Sequence, residues 1–199
     1  MHRVFNLRTF PAALLGLYLP HHYFNLQSSH QYPANLPIED KIMISKIQDL
    51  HVYSIFDGHG GWQLSTYLSE NMATVMKQKY QKDVENMLID TFDTLEFNFK
   101  NFALEAQNFN FDISRVGSCA LVAVVKGKEL FVANSGDSKG VIIGENVYKV
   151  NKKLNAGSKK EQKRLREAFP NDENIVRCKR EKCCYVKGNL VNIRGFVAY

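Results

Sequence analysis

The amino-acid sequence predicts an α+β fold in which helices pack on an antiparallel β-sandwich. Short segments of alternating or continuous apolar residues, typical of strands, lie before residue 57 and after residue 116. Two segments with an apolar period of about 3.6 residues lie between them. Because strands and helices do not alternate strictly, the pattern excludes a doubly wound parallel sheet and favours antiparallel sheets covered by helices.

Length and composition are those of one globular domain. The 199 residues are 45% hydrophobic and 23% charged, which excludes a fibre, a repeat array and wholesale disorder. The net charge of +6 comes mainly from residues 152–187, which hold 12 basic and 5 acidic side chains. No nucleic-acid motif frames this basic segment and its aromatic residues are sparse. We therefore expect a solvated basic face and no nucleic-acid partner.

The first two predicted strands form a hairpin. Residues 41–47 alternate apolar and polar side chains, and residues 51–56 are largely β-branched or aromatic. Antiparallel pairing of these strands brings Glu39 and Asp40 close to Asp57.

Two helices are predicted after the hairpin, over residues 64–76 and 84–102. Their apolar side chains recur every three or four residues. The phenylalanines of the second helix are expected in the core, because helical spacing alone explains their positions. The apolar face of the second helix consists of Val84, Leu88, Phe92, Leu95, Phe99 and Phe102.

The segments after the helices predict a meander of short strands. Residues 119–125 and 130–133 are continuously apolar, as in strands buried on both faces, and two shorter strands are expected at 141–143 and 147–150. A third helix is predicted from Ser158 to Phe169, with a Ser158–Glu161 capping box at its start and Pro170 after its end. Further short strands are expected near residues 175–176, 185–186 and 190–193.

The N-terminal residues 1–35 are expected to be a poorly packed leader, with a targeting segment as the alternative. The apolar run from Ala12 to Leu19 is too short to span a bilayer. Pro11 and Pro20 flank it, which weakens the interpretation as a targeting segment. The chain has four cysteines, of which two are adjacent, and they lack the density of a disulfide scaffold. We therefore expect free thiols in a reducing compartment, with a cytoplasmic location and the mitochondrion as the alternative.

The sequence Asp57-Gly58-His59-Gly60-Gly61 marks the most distinctive candidate site. A carboxylate at a strand end followed by glycines suits a hard cation, because the unhindered Gly58 carbonyl can turn toward the ion that Asp57 binds. Glu39 and Asp40 add oxygen ligands, and a set of oxygen ligands favours Mg²⁺ or Mn²⁺ over zinc. His59 is placed to act as a general acid.

Three motifs, in order and at matching spacing, resemble the metal-dependent PPM-type (type 2C) serine/threonine protein phosphatases. They are Pro37-Ile38-Glu39-Asp40, the FDGHGG sequence at residues 56–61, and Gly117-Ser118-Cys119-Ala120 followed by residues 130–138. The resemblance covers about residues 36–194. Asn35 with the Pro-Ile-Glu-Asp sequence is similar to the form seen in pyruvate dehydrogenase phosphatases.

The resemblance implies a fold, a reaction and a set of roles. The fold is a four-layer α-β-β-α sandwich, and the reaction is hydrolysis of phosphoserine and phosphothreonine in a phosphoprotein substrate by metal-activated water. Asp57 bridges two Mg²⁺ or Mn²⁺ ions and Gly58 is a backbone ligand. Glu39 and Asp40 hold the ions partly through water, and Asp137 lies beside them where a weaker third ion can bind. His59 is the acid.

This sequence also departs from the family pattern. Asn35 replaces a phosphate-binding arginine, and Lys139 stands where arginine usually follows the Gly-Asp-Ser sequence. Residues 194–198 lack the family's Gly-Asp pair, and its later metal-binding aspartates are not found. The sequence thus predicts a partial phosphatase domain over residues 36–199 that is incomplete at its C-terminus and weak or inactive alone. The alternative is a non-catalytic phosphatase-like binding fragment.

Overall fold

A computed structural model describes residues 6–10, 29–108, 113, 115–180, 183–187 and 195–197. Three helices lie in these residues: α1 (Gln63–Gln78), α2 (Val84–Gln107) and α3 (Lys159–Ala168). The strands of the same residues are β1 (Asn6–Phe10), β2 (Lys41–Ile47), β3 (Leu50–His59), β4 (Gly117–Lys126), β5 (Glu129–Ser135), β6 (Val141–Ile143), β7 (Val147–Lys149), β8 (Val176–Arg180), β9 (Cys183–Val186) and β10 (Phe196–Val197).

A six-stranded antiparallel sheet forms the centre of the fold. Its order is β1-β5-β4-β3-β2, and β10 pairs with the first residues of β4. β3 and β4 are the longest strands and pair along their whole length, from Leu50 opposite Lys126 to His59 opposite Gly117. The predicted α+β fold with antiparallel sheets and flanking helices is confirmed.

The predicted β2–β3 hairpin is also confirmed. Lys41 pairs with Phe56 and Ile47 with Leu50 across a tight turn. Asp40, the residue before β2, therefore lies at the level of Asp57 on β3, as the sequence predicted.

The two faces of β3 have different neighbours because its side chains alternate across the sheet. Val52 and Phe56 are buried in the core that α1 and α2 complete, while Asp57 and His59 point to the opposite face and are half-buried. Both helices were predicted within a few residues. The apolar face of α2 differs in one position, since Phe102 is 50% exposed although its ring packs 5.9 Å from that of Phe99.

The C-terminal part of the described chain forms smaller units. The predicted β6–β7 hairpin is present, but it forms a separate two-stranded sheet instead of continuing the large one, as does β8–β9. The helix α3 packs with β8 and β9 around Leu165, Val176 and Cys184. Ser158 is the N-cap residue as predicted, but its side chain makes no cap hydrogen bond, so this half of the predicted capping box is absent, and the carboxylate of Glu161 accepts a hydrogen bond from Arg164 Nε at 2.9 Å.

The expectation of four free thiols is also wrong. Cys178 and Cys184 form a disulfide, whereas Cys119 and Cys183 are free. The two bonded residues lie directly opposite each other in the β8–β9 pair, and this position brings their side chains together. Sequence spacing alone did not reveal that pairing.

The strand β1, antiparallel to β5, was not predicted. The apolar run from Ala12 to Leu19 and the strand expected at 190–193 lie outside the described residues, and the domain boundary at residue 35 stays a prediction. Residues 29–40 contain no helix or strand, as expected for a lead-in to β2. Among the described residues, no helix is both long and apolar enough to cross a membrane.

Candidate metal centre

Asp57 lies near the end of β3, on the sheet face that α1 and α2 do not cover. Its partner across the β3–β4 pair is the buried Cys119. The next residue of β3, Gly58, faces the helices instead. The alternation of β3 therefore places Asp57 and His59 on one face and leaves the backbone of Gly58 between them.

Asp137 reaches the same place from the loop that follows β5. The Sγ atom of Cys119 donates to Asp137 Oδ1 at 3.6 Å, and Asn155 Nδ2 donates to Asp137 Oδ2 at 3.4 Å. One potential ligand atom from each of Asp57, Cys119 and Asp137 lies within 4.8 Å of the other two. We call these three residues the Asp-Cys-Asp cluster.

The loop carrying Asp137 passes close to β4. Gly136 has φ of +96°, and a Cβ atom there would lie 2.7 Å from the Cβ of Cys119, so a side chain at residue 136 is sterically excluded. The buried Asn134 donates to the carbonyls of Gly136 and Lys152 at 3.1 and 3.2 Å. These contacts fix the loop and hence the position of Asp137.

A second set of contacts fixes the start of β2 against β3. The hydroxyl of Ser65 on α1 donates to the carbonyl of Glu39 and to that of Trp62. A Cβ atom at Gly58 would overlap the Glu39 carbonyl oxygen and lie 2.9 Å from Ser65 Oγ. Asn35 Nδ2 donates to Glu39 Oε2 at 2.7 Å. A residue without a side chain is therefore required where Glu39 crosses β3.

Ionisation of the Asp57 carboxyl is disfavoured by its surroundings. Burial, followed by the charges of Asp40, Asp137 and Glu39, raises the pKa of Asp57 to about 6, while Lys153 acts in the opposite direction. This shift means that the predicted site residues on three chain segments are close enough to interact. An isolated group of like charges of this kind is stabilised by a cation.

His59 occupies the end of β3, and its ring fills the space beside Gly117. A Cβ atom at Gly117 would lie 2.8 Å from His59 Cε1. Burial lowers the pKa of His59, although a hydrogen bond with the Asp57 backbone and the charges of Glu39 and Asp137 act in the opposite direction. Its Nδ1 atom is buried and has no hydrogen-bond partner among the described residues. A neutral imidazole is thus favoured near the carboxylates.

Cys119 is the member of this site that sequence reasoning missed. It was treated as an ordinary thiol, although its position opposite Asp57 follows from the β3–β4 register. Burial raises the pKa of the Cys119 thiol to about 12, so the thiol is neutral at physiological pH. The carboxylates of Asp57, Asp137, Glu39 and Asp40 are oxygen donors of the kind that Mg²⁺ and Mn²⁺ prefer, so the residues present fit such an ion.

Comparison with known proteins gives one consistent family. A family model described as protein phosphatase 2C matches residues 23–190. Probable protein phosphatase 2C 68 of Arabidopsis thaliana is 29% identical over 171 residues, which cover 79% of this chain and 44% of the relative. Protein phosphatase 1L of Bos taurus is 34% identical over 97 residues, which cover 46% of this chain and 26% of the relative. The chain spans less than half the length of these relatives.

Solved structures show the same fold. A C. elegans sex determining protein superimposes with a TM-score of 0.65 at 15% identity, covering 96% of this chain and 43% of that one. A phosphatase from Toxoplasma gondii superimposes with a TM-score of 0.56 at 14% identity, covering 79% of this chain and 59% of that one.

Proposed function

The chain belongs to the protein phosphatase 2C family, and from this membership we propose that it acts as a metal-dependent protein serine/threonine phosphatase. The substrate class is a phosphoprotein, whose phosphoserine or phosphothreonine monoester is hydrolysed. The observation that carries the proposal is the convergence of the Asp40, Asp137 and Glu39 carboxylates on Asp57, whose burial together with these neighbouring charges raises its pKa to about 6.

The proposed ligands of Mg²⁺ or Mn²⁺ are the Asp57 carboxylate and the Gly58 carbonyl. Glu39 and Asp40 contribute directly or through water, and Asp137 binds beside them. When bound, the ions supply an activated water and neutralise charge on the phosphate. The chain's own contribution is to hold these oxygen atoms in place through the Ser65–Glu39 contact and the Asn134 contacts described above.

His59 is the proposed general acid that gives a proton to the leaving alkoxide. Its lowered pKa makes the protonated ring a stronger acid and reduces the fraction of molecules that carry this proton at neutral pH. Asn35 stands where related enzymes carry a phosphate-binding arginine, and its amide is bonded to Glu39. Asn35 therefore supports the position of Glu39 and supplies no positive charge for the phosphate.

Hydrolysis of a phosphothreonine peptide by the full 199-residue chain tests this function. We expect weak release of inorganic phosphate with Mn²⁺, none after chelation, and none in Asp57→Asn. The exposed Asp93 on α2 offers a matched control, and Asp93→Asn should hydrolyse the peptide like the unaltered chain. Binding of Mn²⁺ without hydrolysis would instead favour the non-catalytic binding module and overturn the enzymatic proposal for this chain.

The proposed location stays the cytoplasm, with the mitochondrion as the alternative, although the Cys178–Cys184 disulfide removes the argument from four free thiols. Cell fractionation separates the two. We also propose that the basic residues 152–187 form a solvated face that binds no nucleic acid, and tight binding of RNA or DNA that weakens steeply with salt would contradict this.

A further inference from the structure

We propose that the Cys178–Cys184 disulfide is a modification site at which a small anionic thiol, of the chemical class of glutathione, becomes bonded to Cys178 and releases Cys184. The bond joins opposite residues of the β8–β9 hairpin and includes no residue of the candidate metal centre. The proposal therefore does not rest on phosphate hydrolysis.

The two bonded cysteines differ in their access to solvent. Cys178 is exposed, whereas Cys184 is only 2% exposed and packs with Leu165 and Val176. Exchange with an incoming thiolate depends on access to the sulfur atom that the thiolate attacks. The sulfur of Cys178 is therefore the site of attack, and Cys184 is the leaving group.

The exchange is balanced and needs no further oxidant. A bond forms between the sulfur of the small thiol and that of Cys178, and the Cys178–Cys184 bond breaks. The electron pair of the broken bond goes to Cys184, which takes up a proton from solvent in place of the one that the small thiol lost. The neutral thiol suits its apolar surroundings, because an uncharged cysteine behaves as a small hydrophobic side chain.

Positive charge beside the bond favours an anionic thiol. Gln162 on α3 lies close to the bond, since its Nε2 atom donates to Cys178 Sγ at 3.9 Å. Lys159 and Arg166 lie three residues before and four residues after Gln162, hence on the same face of α3, and both are exposed. Glutathione carries a net negative charge, so these cations raise its concentration near Cys178.

Release of Cys184 removes the covalent tie between β8 and β9. These strands form a separate two-stranded sheet, and an isolated hairpin of this kind is only marginally stable in water. Disulfides of cytoplasmic proteins are usually transient, which agrees with an exchangeable bond at the location proposed above. The exchange thus acts as a redox signal that loosens the β8–β9 hairpin.

Peptide mapping of the full, oxidised chain in a buffer of reduced and oxidised glutathione tests the proposal. We expect glutathione on Cys178 and a free thiol at Cys184. Cys183→Ser, which removes the exposed free cysteine next to the bond, should give the same result. The proposal is overturned if the bond stays intact at every glutathione ratio, if glutathione is found on Cys184, or if reduction occurs without an adduct on Cys178.

The charge of the thiol gives a second test in the unaltered chain. The reacting thiolates of 3-mercaptopropionate and 2-mercaptoethanol carry two and one negative charges. We expect added salt to lower the ratio of their exchange rates about threefold, because salt screens the cations near the bond. The double variant Lys159→Gln/Arg166→Gln should lower this ratio as well, whereas Lys46→Gln, at an exposed position of β2, should not. A ratio that is independent of salt and of these substitutions would contradict the preference for an anionic thiol.

Discussion

Asp57 and Cys119 face each other across β3 and β4, with the carboxylate of Asp137 within 4.8 Å of both. A half-buried carboxylate in these surroundings loses hydration and faces a neutral thiol and other negative charges, which the positive charge of Lys153 offsets only in part. The same arrangement that attracts a cation therefore destabilises the chain when the cation is absent. This conflict between stability and metal binding leads to the first prediction.

Asp57→Asn should stabilise the metal-free chain at neutral pH. The rise of the Asp57 pKa from 3.8 to about 6 corresponds to about 3 kcal/mol, and because the group is partly exposed, solvent screening reduces the expected gain to about 1 kcal/mol. For a chain of this size that raises Tm by about 2–4 °C. Thermal unfolding in the presence of a chelator measures the gain, with Asp93→Asn as the control.

The pH dependence of this gain has a definite sign. Because the folded-state pKa of Asp57 is raised, ionisation is disfavoured in the folded chain, and the cost is absent below the unfolded pKa of about 4. It develops as pH rises from about 4 to about 6 and is constant above that range. A stability gain in Asp57→Asn that is as large at pH 4 as at pH 7.5 would show another cause.

Gly58→Ala should destabilise the chain by about 1–3 kcal/mol, because the added Cβ would overlap the carbonyl of Glu39 and crowd Ser65. Gly144→Ala is the control, since a Cβ there meets nothing closer than 4.0 Å and its stability should change by less than about 0.5 kcal/mol. Urea unfolding measures both. Equal stability of the two variants would contradict the close crossing of Glu39 over β3.

Ser65→Ala should lower Mn²⁺ affinity as well as stability. The Ser65 hydroxyl donates both to the carbonyl three residues earlier and to Glu39, whereas Ser69 on the same helix bonds only to the carbonyl three residues earlier. Comparison with Ser69→Ala thus isolates the contact with Glu39, and leaving that carbonyl unpaired costs about 1–3 kcal/mol. Parallel unfolding and Mn²⁺ titrations of the two variants provide the measurement. Identical Mn²⁺ affinities would show that Glu39 is held in place by other contacts.

Local sequence patterns predicted the elements that build the sheet and its helical cover. The alternation in residues 41–47 and the helical periods of α1 and α2 reflect one buried face each, which a sequence displays directly. The strand β1 and the separation of β6–β7 from the large sheet depend on pairing partners distant in sequence. A short strand such as Asn6–Phe10 carries no comparable periodicity, so its pairing with β5 was not foreseen.

The proximity of Asp40 to Asp57 could be predicted from local sequence. Asp57 and its neighbours lie on one hairpin, so their proximity follows from a short turn. Cys119 reaches Asp57 only through the β3–β4 register, and Asn155 reaches Asp137 only through the docking of a later loop. The Cys178–Cys184 bond was missed although its residues are only six positions apart, because it depends on the register of the β8–β9 pair.

Titration of the metal-free chain with Mn²⁺, followed by the electron paramagnetic resonance signal of the free ion, tests the candidate metal centre most directly. The unaltered chain and Asp93→Asn should both deplete the free-ion signal, and Asp57→Asn should leave it close to that of buffer. Depletion by Asp57→Asn equal to that of the unaltered chain, or no depletion by any of the three, would contradict a metal centre at Asp57.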